Sequence, residues 1–231
     1  LQLPQPLHPG FLLRRYRRFL VDVELEGKGP VTAHCADPGR LPGLAVPGAR
    51  VWLSESRDPR RRLAWTLELI ERAGVPVGVN SRNPNRLARE GLEAGRFAFA
   101  RGFDHRQSEP RVRSGTRLDF LLRHPDGGRL WVEVKGVTWR RDAAAAFPDA
   151  PTVRGTRHLE TLTALVRSGD AAALLLIAQR SDVLCFEPAA DIDPAWAEAL
   201  ARARAAGVHV EAWRCVVNHR LMELDREIPL V

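Results

Sequence analysis

Three residues in the second half of the chain have the types and spacing that phosphodiester chemistry uses: Asp119, Glu133 and Lys135. Glu133 and Lys135 stand two apart in the run Leu130–Val137, so in a strand both side chains leave the same face. Upstream, Thr116–Arg123 reads as a partner strand, and Pro125-Asp126-Gly127-Gly128 carries the turn chemistry of a hairpin. If the loop is Asp126-Gly127-Gly128, Asp119 sits opposite Lys135 and diagonal to Glu133, within side-chain reach. A loop one residue shorter sends Asp119 to the other face unless a bulge intervenes.

Two converging carboxylates hold a divalent cation through oxygen, as magnesium or manganese accepts. Such an ion polarises a phosphodiester, acidifies water and steadies the departing oxyanion. A lysine beside it orients or deprotonates the attacking water and offsets transition-state charge. The same set also suits a plain cross-strand ion cluster on an exposed face. Leu118, Phe120, Val132, Val134 and Val137 give the opposite face the apolar character that either reading needs.

Lysine usage sharpens the choice. Of the 35 basic residues only Lys28 and Lys135 are lysines, and every other is arginine. A surviving lysine marks a place where a compact ammonium with an adjustable pKa is wanted. Lys28 lies in the turn Glu26-Gly27-Lys28-Gly29-Pro30, whereas Lys135 lies inside a strand.

The elements that must position these residues fall into two groups. From about Phe11 to Val79 short strands alternate with turns: Phe19, Val21, Val23 and Leu25 show a two-residue period, then come Val31–His34 and Val51–Leu53. That spacing predicts a small β-barrel. Arg14, Arg15, Arg17 and Arg18 surround Tyr16, and Arg60, Arg61 and Arg62 follow, which suits a single-strand binding platform or a solvated, aggregation-blocking edge. Asn80–Asn85 is the expected domain boundary. A helix is predicted over Pro84–Gly95, started by Asn83. Beyond Thr116 the pattern becomes α/β. The hairpin is followed by a helix at Val153–Ser168 closed by Gly169, a buried strand at Ala171–Ala178, and a short strand near Val183–Phe186. A helix at Pro194–Ala206 capped by Asp193 and a last strand at Val208–Val216 complete it. Strands alternating with helices predict a mixed sheet with helices packed on it.

At 231 residues, with 45% hydrophobic and 27% charged residues, the chain suits one large or two small soluble domains. A net charge of +7 and a pI near 10.4 favour polyanionic partners. The longest apolar run, Ala171–Ala178, is far short of the ~20 residues a membrane helix needs. Leu1–Phe19 lacks the apolar core of a signal peptide, so the expected compartment is cytoplasmic. Cys35, Cys185 and Cys215 are widely spaced and read as reduced thiols.

Asp119 followed by Glu133-x-Lys135 resembles the PD-(D/E)xK nuclease signature. More specifically, the chain is similar to the sugar fermentation stimulation protein A (SfsA) family. The matching stretches include Arg18–Val23, His34-Cys35 with Pro38-Gly39-Arg40, Trp65–Ile70, Gly78-Val79-Asn80 and Pro84-Asn85-Arg86-Leu87. Further matches are Arg117–Phe120, Val132–Thr138, Phe147–Gly155 and His158-Leu159. The resemblance implies an OB-like barrel over residues 11–79 and a PD-(D/E)xK nuclease-like domain over 80–231, an α/β mixed sheet with flanking helices. It implies DNA as partner, with RNA kept open, and a magnesium or manganese ion held by Asp119, Glu133 and a helical carboxylate that Glu90 matches. Arg40, with Arg14, Arg15, Arg17 and Arg18, is expected on the nucleic-acid side. Asp37 departs from the asparagine more usual there.

Arg154 and His158, four apart on a helix, share one face; Arg154 is placed to grip a phosphate and His158 to exchange a proton. Asp149 and Thr152 are expected to cap that helix, and Gln179 to end the buried strand at the same cleft. Three functions stay open: a metal-dependent nuclease, a non-catalytic DNA-binding regulator that keeps the nuclease fold, and an enzyme acting on a small phosphorylated or sugar substrate. The last is lowered by the lack of a glycine-rich phosphate loop. A symmetric homodimer is conceivable for this architecture, although no exposed apolar stripe argues for one.

Overall fold

The computed structural model describes residues 1–103, 105–112 and 115–231. Strands β1 (Leu7–Tyr16), β2 (Leu20–Leu25), β3 (Gly29–Cys35), β4 (Arg50–Glu55), β5 (Trp65–Arg72) and β6 (Val75–Gly78) form the first half. They lie in the order β3-β2-β1-β4-β5-β6, and a parallel β3–β5 pairing closes the first five into an OB-like barrel. The two-residue period drives this closure. Val21, Val23 and Leu25 turn into the interior with Leu12, Val51, Leu53 and Leu67, while Asp22 and Glu24 stay outside.

The second half contains β7 (His105–Ser108), β8 (Phe120–Arg123), β9 (Arg129–Val137), β10 (Arg140–Arg141), β11 (Ala144–Phe147), β12 (Ala171–Ala178), β13 (Cys185–Pro188), β14 (His209–Val217) and β15 (Met222–Ile228). Helices α1 (Asn83–Glu93), α2 (Val153–Arg167) and α3 (Pro194–Ala205) accompany them. The main sheet runs β15-β14-β12-β9-β8-β7, with β9, β12 and β14 parallel at its centre and antiparallel strands on both sides. A smaller sheet, β10-β11-β13, stands beside it.

Alternation along β12 shows how the sheet is covered. Leu174, Leu176 and Ala178 pack under α2 and α3, against Leu159, Leu162 and Trp196. Ala173, Leu175 and Ile177 pack on the other side, against Leu87 and Ala88 of α1 and against Trp52 and Leu69 of the barrel. The barrel wall is thus part of the sheet's second face. Gly78 N–H donates to the Gln179 carbonyl at 2.9 Å, and Leu3 N–H to the Arg220 carbonyl at 2.8 Å. Among the described residues no helix is long and apolar enough to cross a membrane.

Helices α2 and α3 start where their caps dictate: Thr152 Oγ1 accepts from Gly155 N–H and Asp193 Oδ1 from Trp196 N–H, both at 3.0 Å. Helix α1 differs from expectation. Asn83 lies inside it and is buried, and Asn80 organises the entrance by accepting from Arg82 N–H (3.1 Å) and Asn83 N–H (3.0 Å). Asp149 is not a cap for α2: its Oδ2 accepts from Leu41 N–H at 3.0 Å, joining the two halves of the molecule. Strand β15 and the β10–β11 pair escape the sequence pattern because alternation in Met222–Ile228 is broken by charges and Ala144–Phe147 is too short and small.

Candidate active site

Strand β9 carries Glu133 and Lys135 on the face covered by α2, the side to which Trp131 and Val137 also turn. Val137, and with it Leu118, therefore falls on the side of Glu133 rather than opposite it. Glu133 is only 2% exposed, so the hairpin does not present an open polar face. The hairpin register also differs from that expected. Phe120 pairs with Val132 and Arg123 with Arg129, which continues to Asp119 opposite Glu133 rather than Lys135. The turn is longer than a short Asp-Gly-Gly loop. His124 N–H reaches the Gly128 carbonyl at 2.8 Å, Asp126 Oδ1 accepts from Gly128 N–H at 3.0 Å, and Gly127 takes φ +93°.

Asp119 is held at both oxygens. Oδ2 accepts from Val134 N–H at 2.7 Å and Oδ1 from Asn85 Nδ2 at 2.6 Å. Burial, and then the charge of nearby Glu133, push its pKa up to about 6 despite these donors. Glu133 goes the other way. Burial presses its pKa upward, but His158 and Lys135 outweigh that and hold the carboxyl below its usual range. Both partners use one oxygen: Glu133 Oε1 contacts Lys135 Nζ at 2.5 Å and His158 Nδ1. Oε2 is buried with no hydrogen-bond partner. His158 in turn accepts from Arg154 Nε at 3.4 Å through Nε2, which leaves Nδ1 as the donor toward Glu133.

The structure thus brings together Asp119, Glu133, Lys135, His158 and Arg154. It does not bring Glu90 to them: that carboxylate is half exposed and makes none of these contacts. On α1 the residue that reaches the cluster is Asn85, whose signal in the sequence was its place in a matched Pro-Asn-Arg-Leu stretch. Gln179 ends β12 on the barrel side of the sheet, against Gly78 and Gly136, rather than beside Glu133. Outside His158 a groove of about 720 Å³ is lined by Arg117, Arg154 and Arg157 with Glu160.

The basic residues of the barrel are spread. Arg14 pairs with Asp22 at 2.7 Å, and Arg15 donates to the carbonyls of Arg18 and Asp37. Arg17, Arg18 and Arg40 are exposed. Arg18 reaches the junction between the halves. Phe19 stacks on His34 at 6.3 Å beside it. Lys28 is a surface residue, over the Trp65 ring at 4.6 Å and 3.2 Å from Glu55. Burial raises the Cys35 thiol pKa, and raises that of Cys215 to about 12, which keeps these two thiols protonated and unreactive.

A metal centre can be tested against these donors. Among the described residues, no three His, Cys, Asp or Glu side chains converge as a metal-binding set. Two carboxylates do converge, and one has a buried oxygen without a partner. That donor set fits a hard divalent cation that draws its remaining ligands from water and substrate oxygens.

A family model described as the SfsA N-terminal OB domain matches residues 13–79, and one described as the sugar fermentation stimulation protein RE domain matches residues 82–220. The chain belongs to the SfsA family. A sugar fermentation stimulation protein homolog of Geobacter sulfurreducens is 43% identical over 229 residues, covering 99% of this chain and 98% of its own. One of Caulobacter vibrioides is 40% identical, covering 98% and 95%. Among solved structures, Pyrococcus furiosus SfsA in complex with Ca2+ superposes with a TM-score of 0.90 at 27% identity, over 100% of this chain and 98% of that one.

Proposed function

We propose that this SfsA-family chain is a divalent-metal-dependent nuclease that hydrolyses phosphodiester bonds, with DNA as the favoured substrate. The observation that carries the reading is the pair Asp119 and Glu133 at the mouth of one hairpin, with Glu133 Oε2 buried and unpartnered and Lys135 at 2.5 Å from Oε1. The Ca2+ bound to the Pyrococcus furiosus relative supports a divalent ion. Magnesium or manganese is the working ion of this proposal, because both accept oxygen ligands and retain water.

Asp119 and Glu133 would hold the ion, which supplies positive charge to the phosphodiester and acidifies water. Asn85 and Val134 N–H fix the orientation of Asp119. Lys135 leaves Glu133 for the phosphate or the attacking water, offsetting charge that grows in the transition state. His158, oriented by Arg154, stands ready to take a proton at Nε2 as Arg154 turns to a phosphate oxygen. The arginine-lined groove outside His158 and the exposed arginines at the β1–β2 turn offer a sequence-independent path for a polyanion.

The test is cleavage of labelled single- and double-stranded DNA and RNA with magnesium or manganese, wild type against Lys135→Ala, alongside calorimetric ion binding to wild type and Asp119→Asn. Cleavage by wild type alone, with ion binding lost in Asp119→Asn, is expected. Salt-dependent DNA binding without cleavage in either protein would instead identify a non-catalytic DNA-binding protein.

A further inference from the structure

A cleft of about 480 Å³ lies where the barrel meets the sheet, at the carboxyl ends of β9 and β12, lined by Arg18, Asp37, Trp139, Asp149, Arg154 and Gln179 among others. The carboxyl ends of parallel strands are where open α/β sheets receive ligands. Arg154 is shared between this cleft and the groove beside His158, so the cleft is the next station along any strand bound at the proposed centre.

Its chemistry is that of acceptors. Asp37 and Asp149 converge on Gly39, where an added Cβ would stand 2.5 Å from Asp149 Oδ2 and 2.9 Å from Asp37 Oδ1. Asp37 Oδ1 serves Gly39 N–H and Asp149 Oδ2 serves Leu41 N–H, each leaving its second oxygen for another donor. Independently of these acids, Gln179 is 1% exposed and its Oε1 makes no hydrogen bond. The missing side chain of Gly136 makes room for the Pro84 ring and for Gln179 Nε2, while Gln179 Oε1 lies toward Gly78. Arg18 and Arg154 supply the cations at the rim.

We infer that this cleft holds the base of a single-stranded nucleotide adjoining the proposed scissile phosphate, and prefers bases that present exocyclic amino donors. The inference rests on the nuclease reading for its place along the strand, but not for its recognition chemistry. Carboxylates reject phosphate and select N–H donors, as they do when they read the cytosine amino group. The flanking arginines then take the phosphates on either side. The volume suits a single nucleotide.

The test compares binding of dC8 and dT8 by fluorescence anisotropy in EDTA, which removes cleavage from the result. The two octamers share charge and ring size; cytosine offers an exocyclic amino donor and a ring-nitrogen acceptor where thymine offers a carbonyl, a ring N–H and a methyl group. Wild type should bind dC8 about tenfold tighter, the worth of one charge-assisted hydrogen bond. Asp37→Asn with Asp149→Asn replaces acceptors by donors and should reverse the preference toward dT8. Gln179→Leu should reduce it with dT8 affinity unchanged, and an unaltered thermal unfolding midpoint is the check that each variant is folded. Equal binding of the octamers by wild type overturns the inference while leaving the nuclease reading intact. A dC8 preference that survives in the variants also overturns it. Binding of neither octamer defeats both this inference and single-stranded DNA as the substrate.

Discussion

Two buried glutamates, one in each half of the molecule, show how differently a carboxylate can be housed. Glu68 in the barrel is 3% exposed and gives one oxygen to each neighbour: Oε1 accepts from Ser54 Oγ at 2.8 Å and Oε2 from Asn80 Nδ2 at 2.9 Å. Glu133 is buried to the same degree, yet Lys135 and His158 crowd Oε1 and Oε2 has nothing. The first arrangement satisfies the group and fastens the interdomain segment to the barrel. The second keeps a buried acceptor unsatisfied, which costs stability unless something binds there. Satisfaction marks a structural role, and its asymmetry marks a site.

The largest effect expected from this contrast is on cleavage. Glu133→Gln should reduce metal-dependent hydrolysis roughly 10³-fold or more, as removal of a metal ligand and its charge does. Glu68→Gln should leave turnover per folded molecule within about twofold, because no reacting atom depends on it. Equal losses in the two variants would erase the distinction.

Stability should rank the same pair in reverse. Glu68→Leu strands Ser54 Oγ and Asn80 Nδ2 and should cost about 2 kcal/mol in chemical denaturation. A neutral result would show that Glu68 is dispensable and the comparison empty.

The smallest effect is a pH dependence at Asp119, read in metal-free protein. Its folded pKa of about 6 exceeds the ordinary aspartate value of about 3.9, so between these pH values the native state keeps a proton that the unfolded chain releases. Stability attributable to this group is therefore greatest below about pH 4 and falls until about pH 6. Asp119→Asn removes that dependence, and the Asn85 amide can turn to match it. The variant should gain up to about 3 kcal/mol relative to wild type at pH 8, closing as pH falls to 4. A gap that does not change with pH would mean that Asp119 does not titrate there.

Much of this was legible in the sequence because it rests on local periodicity. The two-residue alternation of β2, the capped starts of α2 and α3 and the apolar run of β12 each follow from short-range rules. The convergence of Glu133 and Lys135 followed from strand geometry alone. The register of Asp119 did not, because it depends on how five residues from His124 to Gly128 fold into a turn. Asn85 was hidden for a different reason: its partner is 34 residues away, and a short polar residue early in a helix looks like a surface position. Glu90 looked right by residue type, but Asn85 turns to Asp119 of the hairpin and Arg89 to Ser108 of β7, while Glu90 stays half exposed.

The contact of barrel and sheet carries a consequence of another kind. Trp52 and Leu69 belong to the same apolar cluster as Val132, Leu175 and Ile177, and Gly78 joins β6 to the end of β12 by a backbone hydrogen bond. The two halves are thus not beads on a string that can be recombined at will. Either half alone would carry an open hydrophobic wound, so substitutions on the barrel's outer wall and on the facing strands must be accepted together. The sheet that presents Glu133 is, on its far side, finished by the barrel.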